Sequence, residues 1–266
     1  NSALGPDVLL KLESLQPIGA FKIRGAANAI SKLDDAQKAR GVVCASTGNH
    51  GRAVAYAARL QHIHATVCLS TLVPDVKVHA IEALGAEVRR CGDTQDDAEL
   101  EARRLVDEDG LVGISPFDHP DVIAGQGTIG LELLEDRPDI ETLLVPMSGG
   151  GLIAGIALAA KAIKPSIRVV GITMDRGAAM AQSMAAGRIV DVDEVPTLAD
   201  SLSGGIAGNR YTLRMCLELV DDAVLVTERE IYRGMAALLL QEGIVAEGGA
   251  AVGYAAVLAG KAEAKG

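Results

Sequence analysis

The chain has 266 residues, 49% of them hydrophobic, and a formal net charge of −10. That is enough apolar material for one large domain or two smaller ones. Its acidic balance argues against nucleic acid, whose phosphates need clustered Lys and Arg. The acidic residues are dispersed, and solubility accounts for them. With 2% aromatic residues and no Trp, the core must be aliphatic. Cys44, Cys68, Cys91 and Cys216 form no Cys-x-x-Cys pair, which argues against a zinc or disulfide framework and fits a reducing cytoplasm. No apolar run approaches a membrane span, and the start has no basic-then-apolar signal pattern. A soluble cytoplasmic protein without membrane contact is expected.

In chain order, the first element is a helix within "QPIGAFKIRGAANAI" (16–30). Starting it near Phe21 puts Ile23, Ala26, Ala27 and Ile30 on a core-facing stripe. Lys22 then shares a face with Gly25, Ala26 and Ala29, where there is almost no side-chain bulk. A cation at a helix N-terminus opposes the helix dipole, and a solvent-facing lysine needs no such clearing. The ordinary alternative is a lysine whose stem covers apolar surface while its amine reaches water.

Beyond it, strands are expected at 41–46, 64–70, 86–91, 141–147, 168–173 and 222–227. Helical patterns lie near 49–61, 75–84, 94–108, 120–136, 152–163, 228–242 and 249–261. Runs such as "TLLVPM" are apolar on both faces, as parallel strands covered on each side would be. Alternation of this kind defines an α/β fold with mainly parallel sheets. Boundaries fall near Gly41 and in "ISPFDHPD" (114–121), where Pro116 and Pro120 break the pattern. They bracket a small domain, 41–118, inside a larger one made of 1–40 and 119–266.

Two strand-to-helix turns carry the polar and glycine residues. "STGNHGRAVAYAARL" follows the strand at 41–46, and Ser46, Thr47, Gly48 and Asn49 open its helix. Hydroxyls and backbone N–H groups at a positive helix end suit a carboxylate or another anion. An ordinary capped turn has the same look, and His50 alone reads equally well as structural. "VPMSGGGLIAGIALAAKAI" repeats the arrangement with Ser148, Gly149, Gly150 and Gly151, where amides can approach a phosphate. Gly149-x-Gly151-x-x-Ala154 also satisfies the dinucleotide fingerprint, with Asp175 about where a ribose-binding acid would stand. A nicotinamide-dependent dehydrogenase would leave Lys22 unexplained. A lysine in a cleared pocket, an anion cradle and a phosphate cup together suit a pyridoxal 5'-phosphate enzyme, whose lysine binds the cofactor covalently.

"GAFKIRGA", "STGNHGRA", "DVIAGQGTIGLEL" and "SGGGLIAGIA", in this order, resemble the fold-type II pyridoxal phosphate enzymes of the serine/threonine dehydratase and serine racemase group. The resemblance covers nearly the whole chain. It implies the tryptophan-synthase-β-like fold of two α/β domains with mainly parallel twisted sheets, and a homodimer. "TLADSLSGGIAGNRYT" (197–212) is similar to the hydroxyectoine-utilisation dehydratase branch.

By position, the resemblance makes Lys22 the Schiff-base lysine and puts Phe21 against the cofactor ring. Asn49 would bond the ring's phenolic oxygen, and Ser46, Thr47, Asn49 and His50 would line the substrate carboxylate loop. Thr47 stands where racemases place a second acid–base serine. Ser148, Gly149, Gly150 and Gly151 would hold the phosphate, with Ser148 replacing the first of the usual four glycines. Glu247 in "GIVAEGGAA" matches an acid usually followed by proline, where this chain has Gly248. The family pattern also includes a segment before the lysine helix and a strand after the last helix. The residue contacting the pyridine nitrogen belongs to that strand and is not assigned.

The activity implied is water elimination from a small β-hydroxy amino acid such as threonine or serine, or a hydroxyectoine-derived one. Racemisation is the alternative within the family. A nicotinamide-dependent dehydrogenase and a catalytically silent ligand-binding relative are the alternatives outside it. Relatives often bind a divalent cation through a Glu and an Asp after the strand at 168–173. Alignment puts Thr173 and Ala179 at those positions, so no metal is expected, and Asp175 reads as a surface charge.

Overall fold

A computed structural model describes Leu4 and residues 8–46, 48–193 and 195–263. Thr47 lies outside the described residues. The described chain forms helices α1 (Lys22–Ser31) and α2 (Asp35–Arg40), strand β1 (Val42–Ala45), α3 (Asn49–Leu60), β2 (Ala65–Leu69) and α4 (Asp75–Glu82). There follow β3 (Glu87–Arg90), α5 (Gln95–Asp107), β4 (Val112–Gly113) and α6 (Pro120–Asp136). The remainder holds β5 (Thr142–Pro146), α7 (Gly151–Ile163), β6 (Arg168–Met174), α8 (Ala179–Ala186), α9 (Thr212–Leu219), β7 (Asp222–Val226), α10 (Glu228–Gln241) and α11 (Gly248–Leu258). No described helix is long and apolar enough to cross a membrane.

The chain divides into two compact units, one of residues 12–125 and one of 1–11 with 126–266. The first holds a four-stranded sheet ordered β3-β2-β1-β4. Its pairs are parallel, with Val42 opposite Ala65 and Val112, and Thr66 opposite Glu87. β2 is buried along its whole length, as a central parallel strand must be. The 41–118 stretch lies within this unit, together with α1, which packs on α3. The aliphatic core predicted from the scarcity of aromatics is built from Ile18, Ile30, Val54, Val67 and Ile81 with a carpet of alanines.

The second unit holds a three-stranded parallel sheet ordered β5-β6-β7. β6 is central, and Val169 through Met174 are buried. β5 alternates between buried and half-buried residues, because it is a sheet edge among the described strands rather than a strand covered on both faces. Val170, Ile172, Val226, Ile231 and Val252 fill one core cluster.

The six expected strands and the expected helices are all present. β4 escapes the sequence because two residues have no periodicity. α2, α8 and α9 are short, and α8 carries almost no contrast between its faces.

Candidate active site

In the 12–125 unit, Lys22 is the first residue of α1, and no side chain caps that helix. Its Nζ donates a 2.6 Å hydrogen bond to the carbonyl of Pro116 and stands 5.4 Å from the centroid of the Phe21 ring. Lys22 and Phe21 are each half-buried. A carbonyl and an aromatic face thus offset the repulsion between the amine and the helix end beside it.

The small residues beside Lys22 have a second cause. A Cβ on Gly125 of α6 would stand 2.5 Å from the Arg24 carbonyl and 2.7 Å from Gly25 Cα. Helices α1 and α6 cross there backbone against backbone, so Gly25 serves that crossing. The buried face of α1 is Ile23, Gly25, Ala26, Ala29 and Ile30, while Ala27 is half-buried. Glu13 grips the Arg24 guanidinium at 2.7 and 2.8 Å on the other side.

The polar turn runs from β1 into α3. Ser46 N donates to the Cys68 carbonyl, and Gly48 N donates to Ser46 Oγ at 3.3 Å. α3 begins at Asn49 with no side-chain cap from Gly48. A Cβ on Gly51 would meet the Ser46 carbonyl at 2.6 Å, so glycine lets the turn fold back on its own helix. Ser46 and Asn49 are half-buried.

His50 is 3% exposed, and its Nε2 lies 2.8 Å from the Ile114 carbonyl. Burial pushes its pKa down to about 3, the Lys22 charge pushes the same way, and the bond to Ile114 only partly opposes them. The ring is therefore neutral near pH 7. Because a carbonyl only accepts, the proton sits on Nε2. His50 contributes no charge to an anion site.

In the other unit, β5 runs through Met147 into Ser148, Gly149 and Gly150, and α7 starts at Gly151. Gly150 has φ +87°. A Cβ there would stand 2.7 Å from Met180 Cε, 3.0 Å from Thr212 Cβ and 3.1 Å from Cys216 Sγ. Glycine is required by both conformation and space. The N–H groups of the first turn of α7 have no intrahelical acceptor, and no side chain from the cap position serves them. Thr212 Oγ1 donates to the Gly149 carbonyl at 2.7 Å, and Asn209 donates in turn to Thr212 Oγ1. Asn209 Oδ1 accepts from Leu213 N at 3.0 Å. Burial pushes the Cys216 thiol up to about 12, so it packs as a neutral group.

Sequence reasoning did not single out Asn209, Thr212, Met180 or Cys216. Only the position of Asn209 and Thr212 inside the quoted 197–212 stretch hinted at them.

Glu247 is exposed at the cap position of α11. A Cβ on Gly248 would approach the Leu198 carbonyl to 2.0 Å, which accounts for glycine next to Glu247. Asp175 is exposed, and Thr173 is buried with its hydroxyl 3.4 Å from Met174 Sδ. Among the described residues no three His, Cys, Asp or Glu side chains gather into a metal-binding group.

One parallel α/β unit thus fixes an amine at a helix start, and the other carries a glycine turn feeding an uncapped helix. A family model described as pyridoxal-phosphate dependent enzyme matches residues 1–266, and the chain belongs to that family. It is 54% identical over 263 residues to a Sinorhizobium fredii protein provisionally named a threonine dehydratase, covering 98% of this chain and 79% of that protein. It is 44% identical over 255 residues to the catabolic L-threonine dehydratase of Escherichia coli, covering 96% of this chain and 77% of that one. Among solved structures, maize serine racemase superposes with a TM-score of 0.89 at 41% identity, over 93% of this chain and 75% of the other.

The residues fit pyridoxal 5'-phosphate. The turn that a Cβ at Gly150 would fill offers backbone donors of the kind a phosphate takes, and Lys22 offers a primary amine.

Proposed function

We propose that this chain is a pyridoxal phosphate-dependent dehydratase that eliminates water from a small β-hydroxy amino acid such as threonine or serine, releasing ammonia and a 2-oxo acid. The observation that carries the reading is the Lys22 amine, held at a defined point by Pro116 at the start of α1. Identities of 54% and 44% to proteins named threonine dehydratases support the choice of reaction. When bound, the cofactor supplies an electron sink for charge at the substrate α-carbon.

In this reading Lys22 would hold the cofactor's carbonyl end and, once its Nζ is released by the substrate amine, would take the α-proton there, and Phe21 would pack beside the cofactor. Ser148, Gly149, Gly150 and Gly151 would receive the phosphate, Asn49 would bond the phenolic oxygen, and Glu247 would serve the cofactor as well. Ser46, Thr47, Asn49 and the backbone of His50 receive the substrate carboxylate. We place the protein in the cytoplasm as a homodimer. Racemisation remains the second reading, supported by the likeness to maize serine racemase and by Thr47 at the second acid–base position. The threonine methyl restricts its rotamers, which favours elimination.

Incubation with L-threonine or L-serine is expected to yield oxo acid and ammonia with little D-enantiomer; mostly D-amino acid would reverse the ranking. If neither substrate reacts, a hydroxyectoine-derived amino acid is the next to assay. Lys22→Ala is expected to abolish the visible cofactor absorption and the borohydride-fixed adduct. An adduct on another lysine would refute the role given to Lys22.

A further inference from the structure

His50 sits one helical position after Asn49, yet its side chain turns away from any anion chemistry. It is 3% exposed and neutral, and its Nε2–H is committed to the Ile114 carbonyl at 2.8 Å. Its Nδ1 is buried with no hydrogen-bond partner among the described residues. A buried imidazole with one unmet acceptor is an expensive way to fill space, where leucine would pack without that penalty. The ring's one strong bond therefore calls for a reason.

That bond fixes the start of a short irregular segment. Ile114 N donates to the Val43 carbonyl at 2.9 Å, extending the β4 side of the sheet. Immediately beyond, Ser115 Oγ accepts from Phe117 N at 3.4 Å and from Asp118 N at 3.1 Å, closing a tight turn. The intervening Pro116 carbonyl accepts the 2.6 Å bond from Lys22 Nζ. Proline cannot donate to a ladder, so the backbone at this point gets no help from a sheet. The chain of contacts reads α3 through His50 to Ile114, then two residues to Pro116, then Lys22 on α1.

We propose that His50 is a positioning residue, holding the 114–117 segment so that the Pro116 carbonyl presents the Lys22 amine at a fixed point. This rests on the reading of Lys22 as the cofactor lysine and deepens it. A neutral ring suits the task, because a charged one would repel the ammonium it helps to place. The predicted consequence is kinetic. With the strut gone, the amine samples more positions, and capture of pyridoxal phosphate by the apoprotein slows.

The test compares His50→Gln with His50→Asn. A glutamine amide nitrogen reaches about where Nε2 stands, and an asparagine reaches only as far as Nδ1. Both variants are stripped of cofactor, then mixed with pyridoxal phosphate. Capture is followed by the rise in visible absorption and by the mass of the borohydride-fixed adduct on Lys22. His50→Gln is expected to stay within about 3-fold of the parent rate, and His50→Asn to fall by about 10-fold or more. Equal rates in the two variants, whether fast or slow, overturn the proposal.

A second measurement needs no variant. Nitrogen NMR of the His50 ring in the parent protein is expected to show the neutral Nε2–H tautomer at pH 5. The Nδ1–H tautomer or a protonated ring overturns the proposal even if His50→Asn does not fold. An adduct found on a lysine other than Lys22 would instead defeat the reading of Lys22, leaving the ring measurement to stand by itself.

Discussion

The turn into α3 and the turn into α7 follow the same plan: a parallel strand, a serine, glycine, then an uncapped helix. They are secured in opposite ways. At α7 the critical glycine is the cap residue itself, Gly150, at φ +87° and hemmed in by Met180, Thr212 and Cys216. At α3 a Cβ on the cap residue, Gly48, would meet nothing within 4 Å, and the crowded glycine is Gly51, one turn inside the helix. The α7 turn is thus built by packing from outside and presents backbone, as a constant phosphate would require. The α3 turn is built by its own chain folding back onto the Ser46 carbonyl, with Val67 of β2 packed against the same glycine. A strand–serine–glycine–helix pattern alone does not tell these two designs apart.

The sharpest way to break the comparison is Gly150→Ala against Gly51→Ala. At Gly150 a Cβ adds left-handed strain to a 2.7 Å clash with Met180, together about 3 kcal/mol. For a chain of this size that lowers Tm by roughly 6–12 °C, and cofactor binding should be lost with it. At Gly51 a Cβ would meet the Ser46 carbonyl at 2.6 Å and Val67 Cγ1 at 3.1 Å but adds no left-handed strain, and alanine's better helix propensity offsets part of the cost by up to about 1 kcal/mol. Gly51→Ala should lose less Tm, keep the visible cofactor band and raise KM for the amino acid. Thermal melts, absorption spectra and steady-state kinetics of the two variants check this. A higher Tm loss at Gly51 would mean that the two turns are secured alike.

Much of this was readable from sequence, for identifiable reasons. The strands were legible because β-branched runs such as "GVVCAS" stand between helical patterns, and parallel pairing follows from that alternation. The two turns were legible as strand-to-helix junctions rich in Ser, Asn and Gly, although an ordinary capped turn has the same look. The supports of the α7 turn were not legible. Asn209, Thr212 and Cys216 lie about sixty residues downstream, and nothing local to them signals that Thr212 will bond the Gly149 carbonyl. In sequence the clearing beside Lys22 reads as room for the amine, whereas Gly25 also admits Gly125 of α6. Small residues mark close approach without naming what approaches.

Thr212→Val probes the external support more gently. Valine keeps the volume and removes the hydroxyl, leaving the Gly149 carbonyl and the Asn209 amide without that partner. Thr212 is fully buried, so the loss should be about 1–2 kcal/mol. If the turn transmits it, affinity for pyridoxal phosphate falls by about 5–30-fold. An equilibrium titration of the apoprotein reads this directly. Unchanged affinity with a lowered Tm would show that the hydroxyl supports the fold and not the cup.

The smallest effect is expected at Ser148, the one side chain in the α7 turn able to add a donor. It is half-buried beside Gly149 and Gly150, at a position where a glycine would offer only its amide. If the turn works through its backbone, Ser148→Ala removes one hydroxyl contact among several, about 1 kcal/mol, or about 5-fold in cofactor affinity. Tm of the apoprotein should not move, since among the described residues no hydrogen bond uses that hydroxyl in the way Gly149 uses that of Thr212. Ser148→Gly should behave like Ser148→Ala, because both keep the amide and lose the same oxygen. A loss of 100-fold or more in either variant, measured by titrating the apoprotein with pyridoxal phosphate, would mean that the α7 turn relies on a side chain after all, and the contrast with the α3 turn would collapse.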